Sequence, residues 1–237
     1  MLTIGGKKIN AISCDGKDVK KIATTDGKVI WQKSSLPDGY KECEYIENTT
    51  SAVIDTGFIP NTNSRYEVGF SKTSPNGSWN PIINNEMDIR FGIMCSSQST
   101  NHFIAWIGKG SGTGTNSVFS QIDTNTEIVY NQKYDLILDK SGLSVDGTLY
   151  TFSSTPDSAE GKWPAVIGGR YLNAETFNTE RTIGKYYYIK MYKDGILLRD
   201  YVPVYNISTS EYGLFDKVNQ KFYGSANDNK FTGKLKE

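Results

Sequence analysis

The chain of 237 residues has one histidine, three cysteines, no net charge and no long apolar run. Each shortage removes a class of function. With His102 the only histidine, any Ser-His or Cys-His machinery depends on that one residue. No signature sets a nucleophile beside it. It lies in His102-Phe103-Ile104-Ala105-Trp106, which reads as a strand with a satisfied or exposed histidine. Cys14, Cys43 and Cys95 are odd in number and lack metal-type spacing. Neither a disulfide framework nor a zinc site is therefore expected. They read as reduced thiols in or near packed strands, made in a cytoplasm.

Basic and acidic residues balance at 26 each, so the basic field that nucleic acid demands is missing. No apolar run approaches the roughly 20 residues of a spanning helix, and membrane insertion is not expected. The opening Met1-Leu2-Thr3-Ile4-Gly5-Gly6-Lys7-Lys8 has no long apolar core, so no secretory signal is expected. Nor is a helical apolar period sustained over about ten residues anywhere.

Glycine and tyrosine are plentiful instead, and Asn, Thr and Ser recur throughout. That mixture predicts short strands joined by tight turns. In residues 1–33, Gly-Lys recurs at Gly6-Lys7, Gly16-Lys17 and Gly27-Lys28, the last two preceded by Asp15 and Asp26. Asp-Gly supplies the positive φ values of a type I′ hairpin. The β-prone pieces between, 8–14, 18–25 and 28–32, predict a small N-terminal β-meander. Its few apolar residues make a thin core that calls for a partner surface.

Ser34-Ser35-Leu36-Pro37-Asp38-Gly39 then interrupts the strand pattern and sets a boundary, with residues 34–237 as a second, larger domain. Strands are predicted at 65–71 around Tyr66, Val68 and Phe70, at 88–94 around Ile89, Phe91 and Ile93, and at 102–107 and 134–138. Hairpins are predicted about Asp146-Gly147 and Asp194-Gly195. In the second, Ile189 and Met191 face one way, with Leu198 and Val202 placed to meet them. Many short strands separated by turn signals predict an all-β sandwich.

Leu36-Pro37-Asp38-Gly39-Tyr40, Glu44-Tyr45-Ile46-Glu47 and Ile54-Asp55-Thr56-Gly57-Phe58-Ile59-Pro60-Asn61 resemble the opening of concanavalin A-like (laminin G-like) jelly-roll domains. Versions of these occur in phage and prophage virion proteins and in gut-bacterial surface proteins. The stretch between, Asn48-Thr49-Thr50-Ser51-Ala52-Val53, departs from the family by losing a glycine and an aromatic. Towards the end, Lys190-Met191-Tyr192-Lys193-Asp194-Gly195 and Leu198-Arg199-Asp200-Tyr201-Val202-Pro203 resemble the family's penultimate hairpin. Gly213-Leu214-Phe215-Asp216, Asn219, Lys221-Phe222-Tyr223 and Phe231 resemble its closing segment. The likeness spans residues 36 to 233 and is diffuse in the middle. It implies a jelly-roll β-sandwich, a fold that hosts lectins, hydrolases and structural modules alike. The meander resembles short β modules that precede such domains in phage tail and fibre proteins, which implies attachment to other virion proteins through residues 1–33.

Some jelly rolls of this shape are glucanases, with acids on one strand as Glu-x-Asp-x-Glu or Glu-x-Asp-x-x-Glu. Retaining chemistry there needs two carboxyls about 5 Å apart. Glu86 and Asp88 supply the first two acids, but Arg90 or Phe91 stands at the third, so no enzyme is expected. Gly108-Lys109-Gly110-Ser111-Gly112-Thr113-Gly114 lacks the ending of a phosphate loop and reads as a flexible loop. Related jelly rolls often hold a structural calcium, but the many Asp-rich turns select no ligand set, and no other cofactor is implied.

Glycan binding asks for a flat aromatic that covers a sugar's apolar face, flanked by hydrogen-bonding groups. Trp79, in Ser74-Pro75-Asn76-Gly77-Ser78-Trp79-Asn80-Pro81, and Trp163, between Gly161-Lys162 and Pro164, lie at loop edges. Tyr171 is close behind, and Asn76, Arg170 and Asn173 are candidate polar neighbours. Packing is the competing reading for each tryptophan, and Trp106, inside a strand, is read as core. The expectation is a phage tail, fibre or surface-decoration protein, assembled in the host cytoplasm into the virion. It would self-associate and bind host-surface carbohydrate. The alternatives are a structural subunit without a ligand, a bacterial adhesin and a glycoside hydrolase.

Overall fold

Turn chemistry and alternation become strands in the computed structural model of the chain. It describes residues 36–75, 80–85, 89–96, 101–109, 118–154, 159–171, 176–178 and 182–237, and the backbone of six short strands before residue 36. The chain divides into two compact units, Met1–Tyr40 and Lys41–Glu237. The described residues contain no helix, and hence none long and apolar enough to cross a membrane.

In the first unit β1 (Thr3–Ile4) pairs with β2 (Lys7–Lys8), β3 (Ile12–Cys14) with β4 (Lys17–Val19), and β5 (Lys21–Ala23) with β6 (Val29–Gln32), all antiparallel. The register of the second pair sets Cys14 opposite Lys17, with Asp15-Gly16 between them in sequence.

The second unit opens with β7 (Tyr40–Asn48), β8 (Ile54–Asp55), β9 (Arg65–Lys72), β10 (Asn80–Asn85), β11 (Ile89–Cys95) and β12 (His102–Lys109). It continues through β13 (Val118–Glu127), β14 (Tyr134–Asp139), β15 (Gly142–Val145), β16 (Thr148–Thr151), β17 (Val166–Ile167), β18 (Arg170–Tyr171) and β19 (Phe177–Asn178). It closes with β20 (Gly184–Lys193), β21 (Ile196–Asn206), β22 (Glu211–Asp216), β23 (Lys221–Tyr223) and β24 (Thr232–Leu235). Apart from the β18–β19 hairpin, these form two antiparallel sheets. A six-stranded sheet runs β13-β12-β11-β10-β17-β8, and a ten-stranded one runs β16-β15-β14-β9-β20-β7-β21-β22-β23 with β24 on β7.

Asp146-Gly147 and Asp194-Gly195 take positive φ at both positions, which matches the twist of the strands they join. Alternation then sends Tyr66, Val68 and Phe70 of β9 inward, with Leu136 and Leu138 of β14 beside them. Ile89, Phe91 and Ile93 of β11 and Phe103, Ala105 and Ile107 of β12 enter the same core. Rings meet edge to face between the sheets: Tyr66 with Phe91 at 4.8 Å and Phe103 with Tyr134 at 5.1 Å. Tyr186 Oη donates to the Ile82 carbonyl and Tyr201 Oη to that of Thr56, tying the ten-stranded sheet to segments of the other layer. One shared core between two antiparallel sheets is the arrangement of a β-sandwich.

The β20–β21 hairpin differs from expectation in one respect. Ile189 and Met191 face the core, but Tyr201 takes the core position opposite Ile189 and Val202 is half-buried. The cause is a register shift between Met191 and Tyr192, which simple alternation does not contain.

Burial makes this core sensitive to base. It pushes the Cys95 thiol up to about 12 and, with Glu42's charge second, the Cys43 thiol up to about 11. It also holds the Tyr66 and Tyr186 phenols well above their ordinary value. These groups bind protons more tightly folded than unfolded. Their contribution to stability is complete below their unfolded values, about 9 to 10, and is lost as pH rises through the folded ones. Lys72, whose ammonium burial lowers, acts in the opposite sense, but it is one group against several. The thermal midpoint is expected to fall steadily from about pH 9 to pH 11, with tyrosinate absorbance appearing as the protein unfolds. A midpoint flat across that range contradicts the account.

Candidate functional site

β17 is the hinge of the candidate site. It pairs with β8 and β10, setting Val166 beside Asp55 and Asn84. Gly168 follows with φ +76, its N–H donating to the Ile82 carbonyl at 3.0 Å. A Cβ there would stand 2.9 Å from the Ala52 carbonyl oxygen, so this close bend requires glycine. The chain leaves the sheet into β18, which packs on β10 and β17 and pairs with β19.

That hairpin gathers three half-buried rings. Tyr171 lies 4.7 Å from Phe177 and 5.7 Å from Trp163, both tilted. Its hydroxyl donates to Asp55 Oδ2 at 2.6 Å, while Asp55 Oδ1 accepts the Gly57 N–H at 2.9 Å. Burial, then this bond and the carboxylate's charge, raise the Tyr171 phenol above its ordinary range, so it remains a neutral donor. Asn85 Nδ2 donates to the Trp163 carbonyl and fixes the backbone that carries the indole. The fold therefore brings Trp163 and Tyr171 together from positions eight apart in the chain, with half-buried Arg170 preceding Tyr171 in β18. Trp79, Asn76 and Asn173 lie outside the described residues, as do Glu86 and Asp88. Two participants escaped sequence reasoning. Phe177 carries no local signal, because only the β18–β19 pairing brings it to Tyr171, and Asp55 reads as part of a turn motif.

Trp106 is buried, as its place inside a strand predicts, and with Met94, Ile104 and Phe119 it forms a second apolar cluster on the face of the six-stranded sheet turned away from the main core. Alternation forces this, since Ala105 and Ile107 occupy the core side. The Arg90 guanidinium lies 4.9 Å from the Trp106 ring and 4.0 Å from that of Phe119. In the same face Val166, Asn84, Gly92, Trp106 and Gln121 stand in successive register from β17 to β13.

His102 pairs through Nδ1 with Asp123 Oδ1 at 3.2 Å. Nearby Ser96 Oγ accepts the main-chain N–H of His102 at 2.8 Å. Among the described residues that hydroxyl meets the backbone of His102, and no nucleophile–base contact joins it to the imidazole. Among the described residues no group of three or more His, Cys, Asp or Glu side chains could hold a metal ion. No protein-family model matches the chain, and no curated protein matches it.

Proposed function

We propose that the larger unit is a concanavalin A-like jelly roll that binds carbohydrate, in a non-enzymatic tail, fibre or surface-decoration protein of a phage virion. The observation that carries the reading is the grouping of Trp163, Tyr171 and Phe177 beside Asp55. Partly exposed rings offer a face to sugar C–H groups, and a carboxylate and a phenol beside them can meet hydroxyls. The two-sheet architecture and the jelly-roll-like opening and closing motifs support the fold assignment. The first unit, three two-stranded ladders with few apolar residues, serves in this reading as the attachment piece to other virion proteins.

The test uses the full chain with candidate host cells and their purified surface polysaccharides. Saturable binding that free sugar competes away is expected. A well-folded chain that binds none of them but co-purifies with a particle is a structural subunit without a glycan ligand.

A further inference from the structure

The ten-stranded sheet turns one face to the core and the other outward. On the outward side, around the Asp194-Gly195 turn, is an open depression of about 690 Å³ lined by Asn63, Arg65, Glu67, Asp139, Tyr192 and Asp194, among others. These side chains come from β9, β14 and β20 and from the segment before β9, because Tyr66, Leu138 and Met191 take the core side. The polar groups are held by one another. Arg65 Nε donates to Glu67 Oε1 at 3.0 Å, and its Nη1 lies 3.6 Å from Asp139 Oδ2. Lys190 Nζ stands 3.9 Å from Glu67, and the amides of Asn61 and Asn63 donate to Asp194 at 3.2 and 3.3 Å. Burial, and then the neighbouring Glu67 carboxylate, raise the Tyr192 phenol above its ordinary value.

Along β20 the aromatic surface continues by a device that alternation alone would not produce. The register passes from Tyr186 opposite Phe70 to Tyr188 opposite Gly69, leaving Tyr187 as an extra residue. This bulge puts two consecutive tyrosines on the outward face. Gly69 makes room for the second: a Cβ there would stand 2.5 Å from the Tyr188 ring, so the ring lies down on the strand. Its hydroxyl donates to Asp135 Oδ1 at 3.0 Å, and Lys133 Nζ sits 5.5 and 5.3 Å from the Tyr187 and Tyr188 rings.

We propose that this outward face is a second carbohydrate site, taking an extended neutral polysaccharide along β20 with Tyr192 and Tyr188 as its platforms. A neutral ligand follows from the charges. Arg65, Lys190 and Lys133 each already face a carboxylate, so the strip presents oriented hydrogen-bonding groups without a field of one sign. The site is separate from the Trp163 cluster and does not rest on it.

The test is affinity electrophoresis of the full chain in gels containing laminarin, galactomannan, xylan or dextran, with alginate as the anionic comparison. At least one neutral polymer is expected to retard the native chain. Tyr192→Ala should weaken that binding about tenfold or more, and Tyr188→Ala should weaken it as well, with unfolding midpoints kept near native. Trp163→Ala should leave this component in place. Retardation by none of the four neutral polymers overturns the proposal. So does retardation by alginate alone, or binding that both tyrosine variants retain in full.

Discussion

Phe91→Ala is expected to lower the unfolding free energy of the larger unit by about 3–5 kcal/mol, measured by denaturant unfolding. The ring is fully buried in β11, on the core side of the six-stranded sheet, and meets Tyr66 of the opposite sheet at 4.8 Å and 87°. Truncation removes a large apolar contact area and leaves a cavity between two sheets whose backbones are each fixed by their own ladders. The site can therefore collapse little, which places it towards the costly end of the range. With domains stable by only about 5–15 kcal/mol, a loss of this size is a large share of the total. Tyr66→Phe is the informative contrast. Its hydroxyl is buried without a hydrogen-bond partner among the described residues. Removing it should cost nothing or stabilise slightly, since an unsatisfied polar group leaves the core. A small effect at Phe91, or a large loss at Tyr66, would show that the sheets do not pack through this pair.

Trp163→Ala is expected to weaken polysaccharide binding by about 10- to 100-fold, or roughly 1.4–2.8 kcal/mol, while moving the unfolding midpoint little. The indole is half-buried, so its loss opens no deep cavity. Tyr171 keeps its contact with Phe177 at 4.7 Å and its bond to Asp55, so the rest of the cluster has no reason to rearrange. What disappears is one of the cluster's three half-buried aromatic faces and the water exclusion that strengthens neighbouring hydrogen bonds. Titration calorimetry of the variant against a host-surface polysaccharide whose binding to the native chain survives Tyr192→Ala reads the effect. Equal affinity in the two proteins would remove Trp163 from the site.

How much of this could be read from the sequence depends on how local each cause is. The Asp146-Gly147 and Asp194-Gly195 turns were legible because their conformation is set by two residues. The inward rows of β9 and β11 were legible because one apolar face alternates with smaller or polar residues. β10 and β12 were harder. Six consecutive residues of β10 and Phe103 to Gly108 of β12 are buried, so alternation exists without saying which face meets the main core. Trp106 is buried, as its place inside a strand predicts, but that pattern does not say that its cluster lies on the face away from the main core. β13 escaped notice because its inward residues include Ser120 and Thr124 as well as Ile122. The bulge at Tyr187 is invisible locally, since it arises from pairing with β9, more than a hundred residues away. Of the candidate site, Trp163 is singled out by its loop-edge context, with Tyr171 close behind as a further aromatic. Their meeting with Phe177 and Asp55 depends on the bend at Gly168 and on the β18–β19 hairpin, which no local pattern announces.

The most direct measurement is a fluorescence titration of the full chain with purified host-surface polysaccharides, run beside Trp163→Phe. The native chain should show a saturable change in tryptophan emission. The phenylalanine variant should bind within a few-fold by calorimetry, because a flat ring remains, yet lose most of that emission change. No saturable change with any preparation, or an undiminished change in Trp163→Phe, would contradict carbohydrate binding at the Trp163–Tyr171–Phe177 cluster.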